Sequence, residues 1–120
     1  MTKGMNFGNY LRRLRIQHRE VNRRYSVRQT AQRVGIEPAY LSKIERGDVA
    51  PPSEETIRAL AADLGEDVDF LLALAGKVSG DIREIIMRRP ILFTELIRGL
   101  SDAPEETLAA LVGKVRNGEW

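Results

Sequence analysis

Few residues in this chain could make or break a bond. Its 120 residues include one His, His18, and no Cys. The sequence therefore offers no thiol nucleophile, thiolate metal site or disulfide framework, and one imidazole makes no ligand cluster. Ser26 and Ser42 sit in no motif that supplies a His or Lys base, so neither reads as a nucleophile. Gly4 and Gly8 are isolated and form no phosphate-binding loop. What the chain has in quantity is guanidinium. Residues 1–50 carry Lys3, Arg12, Arg13, Arg15, Arg19, Arg23, Arg24, Arg28, Arg33, Lys43 and Arg46. Only Glu20, Glu37, Glu45 and Asp48 oppose them, a balance of +7. Residues 51–120 hold eight bases against thirteen acids, a balance of −5, so the net +2 conceals a split. A basic half predicts a polyanionic partner, and the second half predicts a different one. The expected chemistry is binding; the chain reads as no enzyme and as needing no cofactor or metal.

These side chains need elements to position them. Hydrophobic residues make up 42% of the chain, enough for one core and too many for disorder. No apolar run approaches the roughly 18 residues that span a bilayer. Residues 1–9 lack the apolar stretch of a signal peptide, so the chain reads as cytoplasmic and free of the membrane. The periodicity is helical throughout, and no stretch alternates with period two. A first helix is expected over 7–18, with an apolar stripe of Phe7, Leu11 and Leu14. Residues 19–25 read as a basic loop. Ser26 and Gln29 form a capping-box pattern that opens a second helix, which runs to about Val34. Gly35 ends it, at a position suited to positive φ. Pro38 opens a third helix, 38–46, in the first turn where its missing N–H is harmless. Ser53 caps a fourth, which Gly65 ends, and a fifth covers about 67–75. Three more short helices follow, at about 80–88, 90–98 and 103–115, with Asp102 and Glu105 as a capping pair for the last.

The stretch SVRQTAQRVGIEPAYLSKIERG, residues 26–47, is the informative one. A short helix, a glycine turn and a second short helix make a helix-turn-helix. Ala31 is small where the helices must approach. Ile36, Leu41 and Ile44 lock the second helix against the first. Its opposite face is left to enter a major groove about 12 Å wide.

From here the chain resembles the Cro/cI-type helix-turn-helix repressors, the XRE family. The matching pieces are FGNYLRRLR, then S-x-x-Q-x-A-x-x-x-G-I, then YLSKIERG, then P-S-x-E-T-I-x-x-L-A-x-x-L-G, together spanning about 7–76. The resemblance implies an all-α, lambda-repressor-like five-helix DNA-binding domain, residues 1–76. Residues 77–120 are expected to form a helical extension that dimerises or receives a signal. It implies a cytoplasmic regulator of bacterial or phage origin. Such a protein binds double-stranded DNA at a palindromic operator as a homodimer, and represses by blocking polymerase.

The resemblance also distributes roles. The third helix is the recognition helix. Pro38, Ala39 and Lys43 match base-reading positions, while Tyr40, Ser42 and Arg46 match positions that touch base or phosphate. Lys43 can donate to guanine O6 and N7, and Ala39 can meet a thymine methyl. Arg15 matches a position that pairs with Glu45 as a structural clamp. Three places depart from the family. Glu37-Pro38-Ala39 stands where the recognition helix often begins with Ser, Thr, Arg or Gln, and Glu37 would repel phosphate unless it caps the helix. Val27 replaces a common phosphate-binding Gln, leaving Arg28 and Gln29 to take that contact. Residues 19–25 replace a shorter turn and add Arg19, Arg23 and Arg24, expected on the phosphate backbone beside the recognition helix. His18 reads as a surface residue at a helix end.

The tail lies in the acidic half and is expected to be a poor DNA surface and a dimerisation element. Two other readings attach to these features. One is the DNA-binding antitoxin of a toxin–antitoxin pair, whose acidic tail holds a protein partner. The other is a protein-interaction module that has lost DNA binding, suggested by the Glu37-Pro38-Ala39 start.

Overall fold

The computed structural model describes residues 6–120, so Lys3 and Gly4 and the start of the 1–76 domain lie outside the described residues. The described chain is all-helical. Its α-helices are α1 (Phe7–Val21), α2 (Val27–Val34), α3 (Pro38–Arg46), α4 (Glu54–Leu64), α5 (Val68–Leu74), α6 (Gly80–Arg88), α7 (Pro90–Gly99) and α8 (Glu105–Arg116). A single 3-10 turn, Arg23–Tyr25, joins α1 to α2. The chain divides into two compact units, Met1–Ser79 and Gly80–Trp120.

Local chemistry explains the helix starts in the first unit. Asn6 accepts from Asn9 N–H at 2.8 Å, Ser26 from Gln29 N–H at 3.2 Å and Asp67 from Phe70 N–H at 2.8 Å. Each satisfies an amide that has no partner within its helix. Glu37 occupies the cap position of α3 but makes no side-chain capping bond. Proline at the first turn of α3 sets the backbone there instead. Between α2 and α3 the chain reverses at Gly35, with φ +80°. Ile36 N–H reaches back to Ala31 C=O at 3.0 Å and Gly35 N–H to Gln32 C=O at 3.3 Å. This double closure needs a left-handed residue, which glycine adopts without a Cβ clash.

The first unit has one core, contributed by all five helices: Phe7 and Leu11 of α1, Ala31 of α2, Leu41 and Ile44 of α3, Ile57, Leu60, Ala61 and Leu64 of α4, and Leu71 and Leu72 of α5. α1 packs on α3, α2 on α3 and α4, and α4 on α5. Gly8 permits the first of these approaches. A Cβ there would lie 2.4 Å from Ile44 C=O and 2.9 Å from Glu45 C=O, too close for any side chain. At the other end, Arg58 donates to Ser79 Oγ at 3.2 Å and fastens the close of the unit onto α4.

Several local expectations change. α1 continues one turn past His18, and the supposed loop 19–25 is the end of α1 plus the 3-10 turn. Asn22 explains the break. Its N–H still bonds His18 C=O at 3.0 Å, while its side chain accepts from Arg24 N–H at 3.0 Å and starts the 3-10 turn. α8 begins at Glu105 with Pro104 in the cap position and no side-chain cap, so Asp102 and Glu105 do not pair as expected. The second unit differs from the first in its packing: α6, α7 and α8 contain no buried residue. The charge is also distributed differently from the simple halves. Residues 51–76 carry six acids against one base, whereas 77–120 carry seven of each. The acidity belongs to α4, α5 and their connections, and the tail is neutral.

Candidate nucleic-acid interface

The candidate interface is built on α3. Leu41 and Ile44 are fully packed inward, and Glu45 is buried beside them. Ala39, Tyr40, Lys43 and Arg46 are exposed, with Pro38 and Ser42 half-buried at the margin. Spacings of three and four residues place Ala39, Lys43 and Arg46 along one helical face. A helix of about 10–12 Å diameter presenting that face fits a major groove about 12 Å wide.

A buried ion pair holds α3 in place. Arg15 Nε donates to Glu45 Oε2 at 2.7 Å and Nη2 to Oε1 at 2.8 Å, a two-pronged contact inside the unit. Both side chains are about 5% exposed or less. Arg15 Nη1 also donates to Tyr25 C=O at 3.1 Å. One guanidinium thus ties together α1, α3 and the 3-10 turn, using a planar fork that Lys lacks.

Tyr25 is a second hub, and one the sequence reading missed. Its ring stacks on His18 with centroids 4.7 Å apart, and the Arg33 guanidinium lies 4.7 Å from the ring centroid. Its hydroxyl donates to Asp63 C=O at 3.3 Å. Arg33 also pairs with Asp63 at 2.7 Å and donates to Arg24 C=O at 2.6 Å. The Asp63 carboxylate raises the Arg33 pKa further above its already high value. His18 lies in the last turn of α1, as expected, but is half-buried and not on the surface: its Nε2–H donates to Leu64 C=O at 2.6 Å and joins α1 to α4. The signal available in the sequence was an aromatic residue just before the Ser26 cap, the place of a residue that fixes the entry angle of a helix.

These bonds sort the basic residues. Arg15 and Arg33 are occupied in structural pairs. Arg19, Arg23, Arg24 and Arg28 are exposed. Arg23 and Arg24 ride on the 3-10 turn, which packs on α1 and α2. Arg28 lies in the first turn of α2, where the positive end of the helix dipole adds to its charge. Gln29, beside it, accepts from the Ser26 hydroxyl at 3.4 Å, so its amide is partly engaged in the cap. Arg46 pairs with Asp48 at 2.9 Å, with both side chains more than half exposed. An exposed pair of this kind is worth little and opens readily for a phosphate. A shallow cleft lined by Arg28, Gln32, Ile36, Glu37 and Pro38 separates α2 from the start of α3.

The family model for a helix-turn-helix domain matches residues 6–74, more than half of the chain. The chain belongs to the helix-turn-helix domain family. Comparison with curated proteins and with solved structures finds no match. The match covers α1 through α5 and includes both members of the Arg15–Glu45 pair. Membership marks this helix-turn-helix protein as a DNA-binding regulator with DNA as its partner. No helix among the described residues is long and apolar enough to cross a membrane.

Proposed function

We propose that this helix-turn-helix protein is a Cro/cI-type (XRE) repressor that binds a palindromic operator as a homodimer. DNA binding belongs to residues up to about 76, and pairing to the helices that follow. The observation that carries the reading is the exposed face of α3, with Lys43 at its centre, on a helix clamped from behind by the buried Arg15–Glu45 pair. A clamped helix keeps its base-reading groups in register, which lowers the ordering cost at binding.

Within this reading the contacts divide into two kinds. Lys43 reads a guanine edge, and Ala39 and Pro38 offer apolar surface to a thymine methyl. Tyr40, Ser42 and Arg46 meet base or backbone at the groove margin. Arg19, Arg23, Arg24 and Arg28, with Gln29, hold phosphates and fix the register of the duplex. Glu37, which makes no capping bond, faces this surface as a charge that phosphate would repel, and so restricts how the start of α3 can approach. One domain presents few base-reading groups, so a second copy raises affinity through effective concentration. Bound across a promoter, the dimer excludes polymerase. Its setting is the cytoplasm of a bacterium, as a chromosomal or phage-encoded regulator.

Selection from a pool of random duplexes tests the reading. The expected product is a two-fold symmetric sequence with half-site centres about 34 Å apart, one helical turn. Enrichment of no sequence at all, or of a single asymmetric site, contradicts it.

A further inference from the structure

The second unit presents an imbalance that the first does not. Every buried residue among the described residues lies between Phe7 and Ser79. Residues 80–120 fold into three helices of 9, 10 and 12 residues and bury none. Ile82, Ile85, Met87, Ile91, Leu92, Leu96 and Ile97 on α6 and α7 are 37–75% exposed. On α8, Leu108, Leu111, Val112 and Val115 are 38–59% exposed and recur at the spacing of one helical stripe. α6 and α7 pack on each other, and the three helices together form one compact unit. An open apolar cleft runs along α8, lined by its stripe and by Leu100.

Helices this short are marginal in water on their own, since isolated helices below about 12–15 residues gain too little to offset nucleation. Their stability must come from covering those faces. Contiguous exposed apolar surface on this many neighbouring side chains marks an interaction site more often than a bare monomer surface. The charge says what kind of cover fits. Residues 80–120 hold six bases against seven acids, a balance of −1, so almost no net field selects a cationic or anionic partner, and two copies repel little. A standard interface takes about 20–30 residues from each side. The 41 residues of Gly80–Trp120 supply that number, with apolar groups on all three helices. A face that is apolar, nearly neutral and spread over a whole small unit suits a two-fold pairing, in which the same patch serves both partners.

We propose that residues 80–120 are half of a shared helical unit that closes only against the same residues of a second copy. Pairing and folding of the tail are then a single equilibrium. The cleft along α8 receives helix from the partner, and the partner's cleft receives helix in return. The inference deepens the homodimer of the proposed function and rests on it for its consequence: the protein that carries two α3 helices is the protein whose tail is folded, and operator occupancy rises more steeply than in proportion to protein concentration.

The test needs no DNA, so its failure leaves the DNA-binding reading standing and the reverse. The full chain is diluted stepwise and followed by sedimentation and by far-ultraviolet circular dichroism. The expected result is that dimer and tail helix are lost together, with one midpoint. The loss amounts to over a third of the helical signal, the share held by α6, α7 and α8. A chain ending at Ser79, which retains every buried residue, stays monomeric and keeps its helix at all concentrations. The double variant L111E/V112E, which puts charge into the α8 stripe, behaves at high concentration as the diluted chain does. Dissociation with unchanged helix content overturns the proposal, because the tail then folds alone. So does a monomer with full helix at every concentration, or a dimer that survives removal of residues 80–120.

Discussion

At the scale of single residues, this protein separates arginines that build from arginines that bind. Arg15 is a building residue. Removing it leaves the Glu45 carboxylate buried without its two donors, so Arg15→Ala should lose about 3–5 kcal/mol of stability in urea unfolding. Replacing both partners with apolar residues of similar size should recover most of that loss, because no uncompensated charge remains. Lys43 is a binding residue. It is exposed, and Lys43→Ala should leave the unfolding curve unchanged. The same change should weaken a preferred operator by about 1–3 kcal/mol more than it weakens random duplex. Equal losses on both DNAs would remove Lys43 from the base-reading set. Arg23 sits between these cases, exposed but carried on a turn that Arg15 and Arg33 hold by its carbonyls. Arg23→Ala should weaken both duplexes alike and make the slope of log affinity against log salt shallower by about one.

At the scale of elements, one close approach and one tie set the geometry of the first unit. Gly8→Ala drives a methyl into the carbonyls at the end of α3 and should destabilise by about 1–3 kcal/mol, read from thermal or urea unfolding. α1 is tied to the start of α5 by the Tyr10 hydroxyl, which donates to Glu66, while the Tyr10 ring meets Phe70 edge-on at 5.3 Å. The bond to Glu66 is the largest cause that raises the Tyr10 pKa above its usual 10.0. The folded state then holds that proton more tightly than the unfolded chain. Its contribution is complete below pH 10.0 and is lost as pH rises through the higher folded value. Tyr10→Phe should remove that part of the alkaline slope and leave the ring contact in place. Much of this scale was legible in the sequence. The caps at Ser26 and Ser53, the turn at Gly35 and the α3 span follow from residue types whose local chemistry decides the backbone. The stretch 19–25 was not, because its polar, basic composition resembles a loop and its order comes from contacts far along the chain. Tyr25 and His18 reach Asp63 and Leu64, and no local pattern announces partners that distant.

At the scale of the whole molecule, two units differ in how complete they are. The first unit buries its own apolar stripes, whereas the second leaves all of its stripes half uncovered. Periodicity marked the tail's three helices but does not say whether an apolar stripe is covered by its own chain or by another. The split of charge is likewise sharper than a division into halves. The acids concentrate between residues 51 and 76, within the first unit, and one of them, Asp63, is already spent on Arg33. The central claim is that the basic face around α3 holds duplex DNA. Titration of a fixed duplex at several salt concentrations tests it most directly. Each phosphate neutralised releases counterions, so log affinity should fall linearly with log salt, with a slope of about −0.9 per phosphate contact. A straight line with a slope corresponding to several contacts is the predicted result. Affinity that does not change with salt, or no binding even at low salt, would contradict the account.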